Sequence, residues 1–394
     1  MTPFVIVNAR LVTEDNILDA YNVYCSKGKI VEIFPCRDQK IPSEAEIFDA
    51  SGMILSPGFI DLHIHGTKNY MVDKGRKHLE ELCRILPQYG VTGFLPSLCP
   101  APDGNCDLNL LTSLSEVKSK GTEILGFFLE GHYLALTGAI STLSKNISRD
   151  RVEKLIEAAE PYKLIFGISP ELEGIEALLP LMTESGYPAF ITHTAATAKQ
   201  TERAIKAGAH HATHFYNVFP YPGDREPGVR GCGTVEAIYA NPEASVDFII
   251  DGEHVDPIAL KMALACKGTK KVCLITDANM NAGLPAGSYK SFTGDIDVAY
   301  EGGPARLSKG ASYPGALSGS GLTMDLAVRN AVKFLNIDIP TALAMASSSP
   351  ARVLGLHNCK GFIKKGYEAD MVLLDEELNV IKCWVGGKIC FDRT

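Results

Sequence analysis

Hydrophobic residues in this chain fall in short, nearly continuous runs, and the runs of its middle section stop at polar, chemically capable side chains. Phe59-Ile-Asp-Leu-His63-Ile-His65-Gly66 is the first of eight, Ile124-Leu-Gly-Phe-Phe-Leu-Glu130-Gly131 the third, and Lys271-Val-Cys-Leu-Ile-Thr-Asp277 the last. The fifth and sixth end near His193 and His214. Strands are expected to begin near residues 59, 91, 123, 164, 188, 211, 245 and 271. Between most of them apolar residues recur at helical spacing, as in Leu79-Glu-Glu-Leu-Cys-Arg-Ile-Leu, Val152-Glu-Lys-Leu-Ile-Glu-Ala-Ala and Thr201-Glu-Arg-Ala-Ile-Lys-Ala. Gly90, Gly121, Gly186 and Gly208 follow helical stretches and suit C-terminal caps. Unbroken apolar strands are those covered on both faces. Eight of them alternating with helices predict an α/β fold, a (β/α)8 TIM-like barrel, with chemistry at the C-terminal strand ends. A doubly wound sheet is the alternative. It would want a Gly-rich phosphate loop after the first strand, where this chain has His-Ile-His-Gly.

The two ends of the chain read differently. Residues 3–13, 22–35 and 46–55, and then 371–374, 379–384 and 388–391, are short strand patterns rich in Val, Ile and Tyr. They predict one small β domain built from residues 1–56 and 355–394, with the barrel over 57–354. After the eighth strand, residues 281–315 are rich in Gly, Ser and Pro and read as a lid or an extended loop.

Composition narrows the function classes. With 46% hydrophobic and 21% charged residues, the chain is ordinary for a globular protein. A net charge of −8 without a basic cluster argues against a nucleic-acid partner. No apolar run approaches the ~20 residues that span a bilayer, so no membrane association is expected. Met1-Thr-Pro-Phe-Val-Ile-Val-Asn lacks the basic-then-apolar pattern of a signal peptide. Eleven cysteines with no Cys-x-x-Cys pair suggest reduced, buried thiols in a cytoplasmic protein.

His63 and His65 lie two apart on a strand, so both face the barrel interior and form half of a metal site. The alternative is a pair of satisfied core histidines. Glu130 sits at a strand end beside them, and His193 and His214 close the next strands. A Glu/His/His set with an open position suits a catalytic divalent metal, zinc first, with iron, manganese, cobalt or nickel as alternatives. His210 and His211 precede the sixth strand and are expected to be structural or solvent-facing at the other end of the barrel. Asp277 is the candidate general base and acid, against the alternative of a loop or capping Asp. Arg225, in Gly223-Asp-Arg-Glu-Pro-Gly228, and His254, in Asp251-Gly-Glu-His-Val255, are loop residues on the mouth side. A loop Arg can grip phosphate, though such residues are more often plain surface.

These stretches together resemble the amidohydrolase superfamily and, within it, the N-acetylglucosamine-6-phosphate deacetylases. The resemblance rests on Ser56-Pro-Gly-Phe-Ile-Asp-Leu-His-Ile-His-Gly66, Leu129-Glu-Gly131, Ile191-Thr-His-Thr-Ala-Ala-Thr197, Thr213-His-Phe-Tyr-Asn217, Arg225-Glu-Pro-Gly228, Asp251-Gly-Glu-His-Val255, Ile275-Thr-Asp-Ala278 and Leu317-Ser-Gly-Ser320, in the family's order. It implies a barrel with a small β-sandwich from both chain ends, and a metal held by Glu130, His193 and His214. His63 and His65 are similar to the pair that supplies a second metal position in some members, so one or two ions are implied. Asp277 matches the catalytic aspartate. Arg225, His254 and the backbone around Asn217 and Val218 match contacts to a phosphorylated amino sugar, in a cytoplasmic homodimer. One loop departs from the pattern. His132 replaces a usual Pro, the loop is about two residues shorter, and Ile140 stands where a substrate-facing His closes it. His132 is the candidate to replace that imidazole, or else a supporting or surface residue. The implied reaction is hydrolysis of the N-acetyl group of N-acetylglucosamine 6-phosphate. The galactosamine epimer or another N-acyl substrate is the nearer alternative, and a non-catalytic barrel the remoter one.

Overall fold

The runs that end in reactive groups are buried along their whole length. This is true of β1 (Phe59–Ile64), β2 (Val91–Leu98), β3 (Phe127–Tyr133), β4 (Leu164–Ile168), β5 (Phe190–Ile191), β6 (His211–Ala212), β7 (Ser245–Ile249) and β8 (Val272–Ile275) in the computed structural model of the chain. The structure describes residues 2–393 except 15, 39–40, 102–103, 141–146, 292–293 and 312. The eight strands pair in parallel in sequence order. Closure comes just past β8, where Ala278 bridges Ile64 and the Asp277 N–H donates to the His63 carbonyl at 2.9 Å. The expected (β/α)8 barrel is therefore the observed one. A strand can be buried on both faces only if its side chains alternate between a packed interior and surrounding helices.

Helices cover the outside with apolar faces. Arg76–Ile85 buries Leu79, Leu82 and Cys83, and Arg149–Ala159 buries Val152, Leu155 and Ala159. Ala198–Lys206 starts at a capping box in which Thr197 and Gln200 satisfy each other's backbone N–H groups. Gly90 has φ +79, and a Cβ there would come within 2.6 Å of the Phe59 ring, so the turn into β2 takes only glycine.

The chain ends meet in one sheet. Ile54–Pro57 is its seam, pairing in parallel with Phe4–Val12 and antiparallel with Met371–Leu374. Phe4 and Trp384 stack with centroids 6.2 Å apart, although two strands separate theirs in the sheet. Neighbouring strands are ~4.8 Å apart, so a flat sheet could not bring these rings together. The sheet folds over its own core, and a sandwich arises from a single hydrogen-bonded ladder.

Two expectations change. Residues 281–315, expected to be a lid or an extended loop, are not an extended loop. Gly287–Ser291, Gly294–Val298, Pro304–Leu307 and Leu317–Ser320 form a four-stranded antiparallel sheet over Ile296, Val298, Ala305 and Leu307. Its inward positions alternate with Asp295 and Asp297, and the Gly and Ser content hides that alternation; positions 292–293 and 312 of the stretch lie outside the described residues. None of the eleven cysteines forms a disulfide, but Cys106, Cys232 and Cys266 are exposed rather than buried. No helix among the described residues is long and apolar enough to cross a membrane.

A buried cation ties the end sheet to the barrel. Lys360 Nζ lies 2.7 Å from Asp370 and 2.6 Å from Glu123, which precedes β3, and also bonds Glu368. Its removal leaves carboxylates facing one another, although half-exposed Glu123 is screened by water. Lys360→Ala is expected to lower unfolding free energy by roughly 2–3 kcal/mol. An unchanged urea midpoint would show that the cluster contributes nothing.

Candidate active site

Six side chains from five strand ends converge inside the barrel mouth. β1 supplies His63 and His65, whose Nε2 atoms are 3.1 Å apart. The Glu130 carboxylate stands between two imidazole pairs. Its Oε2 is 3.3 Å from His63 Nε2 and 3.0 Å from His65 Nε2, while its Oε1 is 3.2 Å from His193 Nε2 and 3.0 Å from His214 Nε2. Asp277 Oδ1 is 3.5 Å from both His63 and His65 Nε2. Thus the five residues expected to hold metal, and the expected general base, are brought together.

The backbone is bent to achieve this. His193, His214 and Asp277 have φ of 48°, 35° and 44°, in the left-handed region uncommon for residues with a Cβ. Each such conformation costs about 1–3 kcal/mol and persists only when its surroundings impose it. Here β5 and β6 end within two residues of these histidines, and the turns aim their imidazoles at Glu130.

Hydrogen bonding sets the tautomers. His193 Nδ1 donates to the Leu136 carbonyl at 3.1 Å, and His214 Nδ1 to the Asn217 carbonyl at 3.2 Å. His63 Nδ1 is 3.2 Å from Thr213 Oγ1, whose own proton goes to Asp247 Oδ1 at 3.0 Å, so His63 is again the donor. With the Nδ1 protons committed, these three rings present Nε2 lone pairs to a carboxylate. Acceptor facing acceptor inside a barrel requires a cation between them. Without one, the groups draw protons instead. Burial opposes charge on His214, but Glu130, Asp277 and Asp247 outweigh it and push this imidazole up to about 9. Burial likewise opposes protonation of His65, yet Cys99 and Glu130 hold it well above the usual imidazole range. Burial alone would raise the Glu130 carboxyl, whereas His63, His193 and His214 hold it well below the usual range. On His193 burial prevails and the pKa falls, despite Glu130.

Asp247 organises the floor of the site. Fully buried, it accepts from the His214 N–H at 2.5 Å through Oδ1 and meets His211 Nε2 at 2.8 Å through Oδ2, while His211 Nδ1 lies 2.8 Å from Ser245 Oγ. His211 is structural as expected, but it is buried and braces the site rather than facing solvent. Asp61 plays a matching part under β1 and β8, accepting from Thr276 Oγ1 at 2.6 Å and the His63 N–H at 3.2 Å. Burial pushes its carboxyl up to about 7 against those bonds.

The cluster opens into a cavity of about 550 Å³ lined by His65, Glu130, His193, His214 and Asp277. Of the residues expected to meet substrate, Asn217, Val218 and His254 line it. His254 Nδ1 is 2.6 Å from Asp251 Oδ2, and Asp251 also accepts from the Glu253 and His254 N–H groups, which fixes the ring. Two others are not brought in. Arg225 is exposed on the hairpin Asp224–Glu226/Val229–Arg230 and is not among the lining residues. His132 is buried away from the cavity, 3.4 Å from Asp107, which also pairs with Arg151 at 2.9 Å. Two residues after Glu130, it should share that residue's face of the strand. Gly131 breaks the alternation with φ +99, where any Cβ would meet Pro100 at 2.5 Å, and His132 turns outward. Ile140 does line the cavity, as do Asn279, Ser318 and Cys99, which the sequence pattern alone does not single out.

Against this geometry the comparisons are decisive. The amidohydrolase family model matches residues 54–390. The chain belongs to the amidohydrolase family. This amidohydrolase is 31% identical over 386 residues to the N-acetylgalactosamine-6-phosphate deacetylase of Escherichia coli, covering 96% of this chain and 97% of that protein. It is 32% identical to the N-acetylglucosamine-6-phosphate deacetylase of Vibrio furnissii, covering 86% and 83%. Among solved structures, the N-acetylglucosamine-6-phosphate deacetylase of Pasteurella multocida superposes with a TM-score of 0.86 at 26% identity, covering 98% and 99% of the two chains. A Mycobacterium smegmatis deacetylase variant, solved in complex with N-acetyl-D-glucosamine-6-phosphate, also gives 0.86 at 26% identity, covering 99% and 100%. Amidohydrolases generally depend on a divalent metal, and the His/Glu/His cluster here fits one. Thr213→Val should free His63 to change tautomer and weaken metal binding roughly ten- to hundredfold. Titrating the metal-free variant with zinc measures this, and an affinity equal to that of the unaltered protein would remove Thr213 from the role.

Proposed function

We propose that this amidohydrolase removes the acetyl group of N-acetylglucosamine 6-phosphate, releasing acetate and glucosamine 6-phosphate. The observation that carries the proposal is the Glu130 carboxylate between two imidazole pairs, with Asp277 beside it, at the base of a cavity that also holds His254. Glu130, His193 and His214 would hold one divalent ion, and His63 and His65 with the other Glu130 oxygen a second. Nitrogen and carboxylate donors together suit zinc. A bound ion supplies a polarised carbonyl and a water acidic enough to ionise near neutrality.

The protein groups do the rest. Asp277 takes a proton from the attacking water as a C–O bond forms at the acetyl carbon. It returns that proton to the sugar nitrogen as the C–N bond breaks, so one water is consumed and the amine leaves neutral. His254, oriented by Asp251, and the backbone at Asn217 and Val218 hold the phosphate away from the reacting bond, and this remote binding fixes the amide in place. Arg225 would join them from its exposed hairpin, and a homodimer is the assembly that light scattering would report. A phosphorylated substrate and eleven cysteines without a disulfide support a cytoplasmic setting, which fractionation would check. Asp277→Asn should lower kcat about 10²–10⁴-fold with KM little changed. A kcat near that of the unaltered enzyme would remove Asp277 from the mechanism.

One observation favours a second reading. Ile140 presents an apolar wall where the family resemblance implies a substrate-facing His, and a relative of similar identity is named for the galactosamine epimer. Parallel rates should give the higher kcat/KM for the glucosamine compound. The reverse order would assign the enzyme to the galactosamine compound and leave the chemistry unchanged.

A further inference from the structure

β2 ends at Leu98, and the next residue, Cys99, lies in the cavity wall. Ligating atoms of His65, Cys99 and Glu130 all lie within 4.8 Å of one another. Donors around one zinc ion sit about 3–4 Å from each other, given metal–nitrogen and metal–sulfur bonds of about 2.0 and 2.3 Å, so small side-chain rotations close the set. A second observation marks the same side. His63, His193 and His214 each commit Nδ1 to an oxygen, but His65 Nδ1 is buried with no hydrogen-bond partner, and so is Asp277 Oδ1, which faces His63 and His65. Among the described residues, the His65 ring meets His63 and Glu130 through Nε2 and Cys99 through its thiol.

We propose that Cys99 is a thiolate ligand to the ion on the His63 and His65 side. The proposal rests on the metal reading above and adds a sulfur to it. When the ion enters, the S–H bond breaks, a metal–sulfur bond forms and the proton passes to water, because a coordinated thiol is deprotonated. The two ion positions then differ. The one between His193 and His214 has nitrogen and oxygen donors, and the one beside Cys99 has sulfur as well. Sulfur favours zinc over magnesium or manganese, so this position discriminates among metals more sharply than its neighbour.

Cobalt(II) reports the bond directly. Metal-free protein, Cys99→Ser and His214→Ala are each loaded with cobalt and followed by near-ultraviolet absorbance and by titration. The unaltered protein should show a thiolate-to-cobalt charge-transfer band as the ion enters. Cys99→Ser should lack the band and bind its second equivalent roughly a hundredfold more weakly, while its first equivalent binds normally and so demonstrates a folded barrel. His214→Ala should keep the band. Two cobalt ions bound by the unaltered protein with no such band would overturn the sulfur ligand and leave the metal reading intact. Failure of the unaltered protein to bind cobalt, zinc or iron would overturn both.

Discussion

A carboxylate surrounded by imidazole lone pairs is the constraint from which the rest of this structure follows. Glu130 faces Nε2 atoms of four histidines at 3.0–3.3 Å, and three of those rings have their other nitrogen committed as a donor. Such an arrangement is unfavourable in a dry barrel unless positive charge fills it. The left-handed turns at His193, His214 and Asp277 and the buried acids beneath the site make sense only as supports for that arrangement. Backbone strain of this kind persists where neighbouring packing leaves no alternative.

The supports reach well below the atoms around Glu130. Asp247 links His211 and Ser245 to Thr213 and the His214 backbone, and Asp61 links β1 to β8. These acids connect neighbouring strands at the height of the site, so barrel closure and site geometry are one event. The Asp277 carbonyl also accepts from the Ser320 N–H at 2.8 Å, which fastens the four-stranded sheet to the residue proposed to carry the proton.

Much of this is legible in the sequence. Short apolar runs stopping at His63, Glu130, His193, His214 and Asp277 identify a barrel by its reactive strand ends, because strands buried on both faces carry polar groups where they reach an opening or, like Asp61 and Asp247, where every polar atom finds a buried partner. The terminal strands are readable from the same alternation. What the pattern hides depends on local backbone turns. His132 follows Glu130 by two residues, and only the positive φ of Gly131 accounts for its facing Asp107 instead of the cavity. The small sheet in 281–315 alternates aspartate with isoleucine and valine inside a stretch whose glycines read as loop. Cys99 directly follows the second run, but taking the cysteines together as a redox class conceals its position. His211 lies apart from the histidines around Glu130, yet its contact with Asp247 needs three dimensions to appear.

The seam strand Ile54–Pro57 has a consequence for how the polypeptide is made. One of its edges is satisfied early, by Phe4–Val12, whereas the other waits for Met371–Leu374. Nearly the entire barrel is synthesised in between. Throughout that interval the edge of Ile54-Leu-Ser-Pro, a strand wholly buried in the finished protein, stands open beside nascent apolar strands. Unpaired edges of this kind recruit other chains. Premature termination anywhere in the barrel therefore yields a species with a sticky, unclosed flank, and release of a full-length product is the step that seals it.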